Sequence, residues 1–271
     1  MLKLVKLRLS NFLKSEEIFY ALAVFFILIV DNLLEIRKVL TNVDLNISPF
    51  ILPLVSSNSS FRYFILFTSV LLFLNAPFLD GYSKSYINKF SKRRLNLSNI
   101  LYILLISLFF VIASNLITLL FFIDRLVFIK DWGIFITSMA RSSGSINIFN
   151  NYIVSRFSGL EAFMIFNLIF YLEVILIGII IYVFNLYNHK IHLGPIVAGI
   201  YILSDSYNKF LGNPTFDRFF PSNYLNLCVI AKDKVYKSLT YTRASKILLL
   251  IIIFLGLLSF FIFRKKENLY E

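Results

Sequence analysis

Glu173 is the residue of this chain whose side chain is most suggestive of chemistry, because it is a carboxylate within a long run of apolar residues. From Ala162 to Phe184 that run is otherwise interrupted only by Asn167. A charged side chain at the middle of a membrane helix costs about 2.5–3.5 kcal/mol on insertion scales, so its presence indicates a function or a polar contact between helices. No basic residue lies within two helical turns. We therefore expect a basic partner from another helix, a protonated carboxyl or a hydrated path.

Three further carboxylates fall within apolar runs. Asp31 and Glu35 are one helical turn apart near the end of the first run, where Arg37 and Lys38 follow and could pair with them. Asp205 lies in the fifth run and has a lysine four positions later, the spacing of an ion pair on a helix. Each of the three can be read either as a functional polar group inside the membrane or as a locally paired one.

The sequence offers no constellation for catalysis or metal binding. His189 and His192 are three apart, whereas a zincin helix needs two histidines four apart with a glutamate between them. Cys228 is the one cysteine and is read as a small packing residue. No G-x-x-x-x-G-K-[ST] loop occurs, so ATP cannot bind by that route. We predict no catalytic, cofactor-binding or metal-binding residues in this chain, and no enzyme.

The elements that must position these residues are six long apolar runs. The chain is 58% hydrophobic and only 15% charged, too little polar material to cover a soluble globule. A membrane span needs roughly 20 apolar residues, because the hydrocarbon is about 30 Å thick. We predict one all-α membrane domain over residues 1–271 with six transmembrane helices. They cover about 18–36, 61–79, 100–123, 160–187, 193–210 and 245–263.

Basic residues set the predicted orientation. Lys and Arg total 27 against 15 Asp and Glu, a net charge of +12. They lie in blocks beside the apolar runs, the pattern of the positive-inside rule and not of a nucleic-acid surface. This pattern predicts that both termini are cytoplasmic. Residues 1–14 have apolar residues at helical spacing and predict an interfacial helix, with an ordinary charged flank as the alternative.

Two connecting segments have patterns of their own. The segment from about 81 to 96 repeats aromatic residues one helical turn apart among lysines, which predicts a short amphipathic helix on the cytoplasmic side.

The connection 124–159 contains an apolar patch from Trp132 to Met139. We predict an interfacial or partly re-entrant segment there, with Trp132 and Lys130 anchored at the lipid headgroups.

This order of elements resembles the ABC-2 type permease, the membrane subunit of many bacterial ATP-binding cassette exporters. The resemblance extends over essentially the whole chain. It is carried by FLDGYSKSYINKFSKRRLNLSN at 78–99, by Ser158 to Asn188, and by the turn from Phe219 to Tyr224 before the last run.

The resemblance implies a bacterial plasma-membrane half-transporter. A second permease copy or paralogue would face it, and a separate nucleotide-binding subunit would hold ATP and Mg²⁺. The segment 81–96 would be the coupling helix that meets this ATPase; its alternative is a basic loop that only sets topology. The implied coupling residues are Tyr82, Lys84, Tyr86, Lys89, Phe90, Lys92, Arg93 and Arg94. Substrate export by alternating access is the expected function. The alternative is a non-pumping immunity or accessory protein that binds an antimicrobial peptide.

Overall fold

The computed structural model describes residues 5–6, 8–10, 16–76, 91–141, 149–187, 192–211, 220–230 and 239–265. Within this part of the chain there is no β-strand, and Ile47 and Leu126 form an isolated bridge. From residue 16 onward the α-helices are α1 (Glu16–Val43), α2 (Leu52–Val55), α3 (Ser59–Leu71), α4 (Lys92–Phe121), α5 (Gly133–Arg141), α6 (Asn151–Arg156), α7 (Gly159–Tyr187), α8 (Leu193–Leu211) and α9 (Tyr241–Lys265). The predicted all-α class is confirmed for these residues.

Four of these helices are long and apolar enough to cross a membrane. They are Ile18–Val43 within α1, α4, α7, and Tyr241–Arg264 within α9, which have 26, 30, 29 and 24 residues. At about 1.5 Å per residue each exceeds the hydrocarbon thickness. Large apolar side chains on α1 and α9 face outward, as lipid contact requires. By helix length and composition, the chain is a membrane protein.

The second and fifth predicted spans are shorter helices. α3 has 13 residues and gives way after Leu71 to turns that reach Ala76. Pro77 follows, and a proline disfavours helical geometry in the residue before it. The apolar part of α8 is Leu193–Ser204. Four of the six predicted spans are thus long apolar helices, while α3 and α8 are too short to count by the same criterion.

Some predicted boundaries differ from the observed ones. α4 begins at Lys92, eight residues before the predicted span, because the polar residues that follow Lys92 continue the helix without a break. Asn96, Ser98 and Asn99 are buried on this extension. The predicted interfacial helix at 1–14 and the predicted coupling helix at 81–96 lie mostly outside the described residues.

α7 is the centre of the bundle. It packs against α2, α3, α4, α8 and α9 and is buried along most of its length. A helix that is apolar on all sides is buried on all sides, and this explains why the longest apolar run of the sequence lies innermost.

The helices define two ends of the bundle. At one end, Arg37 on α1 donates through Nη1 to the carbonyl of Phe121 over 2.8 Å, and its Nη2 lies 3.3 Å from an Asp124 carboxylate oxygen. We call this the Asp124 end. The opposite end holds the start of α4 and the last turn of α9, and we call it the Lys92 end.

The connection between α4 and α7 differs from its prediction. Trp132 is 3% exposed, and its indole N–H donates to the carbonyl of Phe157 over 2.7 Å. The backbone N–H of Leu160 donates to the carbonyl of Lys130 over 3.0 Å. The interpretation of Trp132 as a headgroup anchor is therefore wrong, because an internal carbonyl satisfies its N–H and the ring packs inside the protein.

Gly178 lets α7 approach its neighbours closely, and we expect Gly178→Ala to lower the free energy of unfolding by about 1–3 kcal/mol. A Cβ there would lie 2.7 Å from Ile103 Cγ2 and 3.1 Å from the Phe73 ring. Thermal unfolding in detergent is the measurement. Gly256→Ala on α9 is the matched control, because its Cβ would meet no described atom within 4 Å. Equal losses in both variants would contradict this close packing.

Candidate functional site

Glu173 lies at the middle of α7 and receives a hydrogen bond from α8. It is fourteen positions from both Gly159 and Tyr187, which is about 21 Å from each end of the helix. The side chain is fully buried. The hydroxyl of Tyr201 donates to Glu173 Oε2 over 2.6 Å. Another helix therefore supplies a hydrogen-bond donor to Glu173, and this donor is a tyrosine hydroxyl and not the basic side chain of the first expectation.

The segment 220–230 packs into the bundle from the Asp124 end. It forms two 3-10 turns, Pro221–Asn223 and Leu227–Val229. Ser222 is fully buried, and its hydroxyl is 3.0 Å from that of Ser204 on α8. The hydroxyl of Ser56 donates to the carbonyl of Leu225 over 3.2 Å. This stretch, which lies between the fifth and sixth predicted spans, is an internal element of the fold.

Tyr224 brings a second phenol close to Glu173. Its side chain is 1% exposed. Burial raises the pKa of Tyr224 to about 12, and the negative charge of Glu173 adds to the shift. The hydroxyl therefore stays protonated at physiological pH. Tyr201 on α8 is thus the phenol that bonds to the central carboxyl, and Tyr224 on the 220–230 segment lies near enough to be affected by its charge.

Arg62 adds a buried cation at the start of α3. It is 1% exposed, and its Nη1 donates to the carbonyl of Ser56 over 3.3 Å. Its guanidinium lies 5.6 Å from the centre of the Tyr63 ring, within the range of a cation–π contact. The Tyr63 hydroxyl accepts a hydrogen bond from Ser206 on α8 over 3.0 Å. Arg62 was missed from the sequence because a basic residue at the start of an apolar run is typical of a flank.

We call these buried and half-buried polar groups the Glu173 cluster. Its members are Ser56, Arg62, Tyr63, Glu173, Tyr201, Ser204, Ser206, Ser222 and Tyr224. A carboxyl, a guanidinium and several hydroxyls are costly to bury in an apolar bundle, so their presence points to a function or to polar contacts between helices at membrane depth. They do not include a nucleophile paired with a base. The cluster joins α3, α7, α8 and the 220–230 segment.

Asp31 and Glu35 are both exposed on α1, on the face that also carries Ile27 and Leu34. The proposed pairing with Arg37 is wrong, because the guanidinium turns toward α4 and contacts Phe121 and Asp124. Two carboxylates therefore lie on an outward apolar face of a membrane-spanning helix.

The other predicted site residues are only partly described. Asp205 lies on α8, and its side chain is outside the described part of the chain. Of the implied coupling residues, Lys92, Arg93 and Arg94 form the exposed first turn of α4. The remaining five, Tyr82, Lys84, Tyr86, Lys89 and Phe90, are outside the described residues.

Cys228 on the 220–230 segment is expected to react slowly with maleimide at neutral pH. Burial raises the pKa of its thiol to about 11, although the positive charge of Arg62 acts in the opposite direction. Since the thiolate is the nucleophile, labelling at pH 8 should be about 100-fold slower than for a thiol of pKa 9 and should rise about tenfold per pH unit up to pH 11. Labelling rates from pH 7 to 10 test this in the single-cysteine wild type, with Cys228→Ser as the blank. A rate that levels off below pH 9 would contradict it.

Comparison of the chain with known protein families, curated proteins and solved structures finds no match in any of the three.

Proposed function

We propose that this chain is the membrane-spanning subunit of an ATP-binding cassette exporter of the ABC-2 permease type. The observation that carries the proposal is the Glu173 cluster. Its carboxyl lies at the middle of the central helix, and α3 and α8 both pack against that helix. In many transporters a polar site at the bilayer midplane is formed by short or interrupted helices; here α3 has 13 residues, and the apolar part of α8 is limited to Leu193–Ser204.

The proposed mechanism is alternating access between two arrangements of two permease subunits. ATP binding by a separate ATPase closes that subunit and biases the membrane pathway toward one arrangement. By analogy with the family, the pathway lies between spans one, two and five of opposing subunits, which correspond to α1, α3 and α8. The outward carboxylates Asp31 and Glu35 on α1 suit a face that meets another subunit, because two carboxylates on a lipid-facing surface would be costly.

The proposed topology has six spans, with α3 and α8 completing the four long helices. The proposed location is the bacterial plasma membrane, with both termini cytoplasmic. The basic residues at the Lys92 end support this orientation, since cytoplasmic flanks carry an excess of Lys and Arg. ATP and Mg²⁺ belong to the partner subunit in this proposal.

Affinity purification of the tagged chain from its native membrane in mild detergent tests the proposal. Mass spectrometry should identify a P-loop ATPase in a stoichiometric ratio to the chain. Recovery of the chain alone, or with a partner that is not an ATPase, would contradict the transporter and favour the immunity or accessory protein. Energy dependence separates the two, because sequestration of a peptide survives ATP depletion and export does not.

A further inference from the structure

The start of α4 and the last turn of α9 enclose a cavity of about 610 Å³ at the Lys92 end. Lys92 and Arg93 line it from α4, and Arg264 lines it from α9 together with Phe260 and Phe261. The volume falls within the roughly 300–1,000 Å³ of small-ligand sites. None of these residues belongs to the Glu173 cluster, so the cavity is a separate feature of the molecule.

A buried polar group lies at the wall of this cavity. Asn96 lines it and is fully buried. Its Oδ1 accepts a hydrogen bond from the Tyr182 hydroxyl over 2.6 Å and another from Ser259 over 3.3 Å. The Tyr182 hydroxyl in turn accepts from Asn99 over 3.1 Å. These bonds tie α4, α7 and α9 together beside the cavity, so the helices that carry its lining residues are held to one another.

The electrostatics of the cavity favour an anion. Three cationic side chains surround it, and the N-terminus of α4 adds the positive end of a 30-residue helix. Ser91 at the N-cap makes no side-chain hydrogen bond to the helix, and the first turn contains no acidic residue. The carbonyl end of α9 lies nearby and opposes this field, but Arg264 outweighs it with a full positive charge.

The apolar side of the cavity continues along the outside of α9. Phe261 is 68% exposed, and Leu257 and Phe254 follow on the same outward face toward the middle of the helix. This stripe lies on a helix that is long enough to span a membrane. A molecule with an anionic head in the cavity would therefore have an apolar surface for its hydrocarbon chain.

We propose that this cavity binds the headgroup of a phosphate-bearing anionic lipid, whose acyl chain lies along the exposed stripe of α9. Arg guanidinium groups match phosphate oxygens with paired N–H donors, and basic pockets at the ends of membrane helices bind acidic headgroups. The stripe distinguishes a lipid from free phosphate, since an acyl chain gains from contact with Phe254, Leu257 and Phe261 and an inorganic anion does not. The site does not depend on the proposed transport function.

Lipid titration of the delipidated, purified full chain tests the site, with the bound lipid counted by native mass spectrometry. Phosphatidylglycerol should bind more tightly than phosphatidylcholine. Arg93→Gln and Arg264→Gln should each weaken phosphatidylglycerol binding by about five-fold, and the double variant by about 25-fold. Lys246→Gln is the matched control, because Lys246 is an exposed lysine near the other end of α9 and should bind the lipid as the wild type does. Unfolding temperatures in phosphatidylcholine should be the same for all variants, because the replaced side chains are exposed.

Three results would overturn the proposal. Equal binding of the two lipids by the wild type would exclude headgroup recognition. Wild-type affinity in the double variant would exclude this cavity as the site. Competition by inorganic phosphate at the same concentration as the lipid would identify a free anion as the ligand and remove the role of the α9 stripe. Retention of the lipid preference with failure of phosphate to compete would support the lipid.

Discussion

If the chain is the proposed transporter subunit, Glu173→Gln is expected to suppress its ATP-dependent rearrangement while leaving the chain folded. Glutamine has the size of glutamate, and its amide oxygen can still accept the hydrogen bond from Tyr201, which spans 2.6 Å in the wild type. What the variant loses is the ability to carry a charge. A hydrogen bond to a charged group contributes about 1.5–3 kcal/mol and one to a neutral group about 0.5–1.5 kcal/mol, so the difference shifts an equilibrium between an arrangement that keeps the bond and one that breaks it by about tenfold.

Cys228 provides the readout for this experiment. It is the single cysteine of the chain, and it lies on the same 220–230 segment as Tyr224. In the wild-type complex with its ATPase, addition of MgATP should change the maleimide labelling rate of Cys228. In Glu173→Gln that change should be lost while ATP hydrolysis continues. Glu161→Gln, the same substitution in the first turn of α7, should show the wild-type change in labelling rate on addition of MgATP.

Glu173→Ala separates the structural role from the functional one. Alanine leaves the Tyr201 hydroxyl without its acceptor and opens a cavity in the buried centre of the bundle, so stability should fall by about 2–4 kcal/mol. Glutamine should retain most of that stability. If Glu173→Gln shows the wild-type labelling response across pH 5 to 9, the carboxyl has only a structural role.

The long apolar runs could be predicted from the sequence because their physics is local. A span of about 20 apolar residues is defined by its own length, and the predicted 160–187 differs from the observed Gly159–Tyr187 by a single residue. Glu173 could be singled out for the same reason, since a carboxylate in an unbroken apolar run needs no knowledge of the fold. The partner Tyr201 could not be identified, because a tyrosine in an apolar helix is as ordinary as a phenylalanine.

The internal position of the 220–230 segment could not be predicted because it depends on contacts across the fold. Its polar residues, Ser222 and Asn223 among them, read as a loop in the sequence. In the structure a hydroxyl on α8 pairs with Ser222, and the Ser56 hydroxyl binds the carbonyl of Leu225. Arg37 shows the same limit. The sequence suggests Asp31 or Glu35 on the same helix as its partner, yet the carboxylate that it contacts lies 87 positions along the chain at Asp124.

Arg94→Glu should uncouple the ATPase from the membrane pathway without disturbing the helix that carries it. Arg94 is exposed in the first turn of α4, where a glutamate interacts favourably with the helix dipole. If this turn meets acidic residues of the ATPase, charge reversal replaces attraction with repulsion and should weaken docking by tenfold or more, about 1.4 kcal/mol at least. Arg94 is preferable to Arg93, because Arg93 also lines the proposed lipid cavity.

Arg243→Glu is the matched control for this test. Arg243 is the third residue of α9 as Arg94 is the third residue of α4, it is also exposed, and it lies at the Asp124 end. The amount of ATPase recovered per tagged chain and the MgATP-dependent change in Cys228 labelling should both fall in Arg94→Glu and stay unchanged in Arg243→Glu. If the two variants behave alike, the first turn of α4 is not where the ATPase acts. The basic residues of the Lys92 end would then only set the orientation of the chain in the membrane and contact lipid.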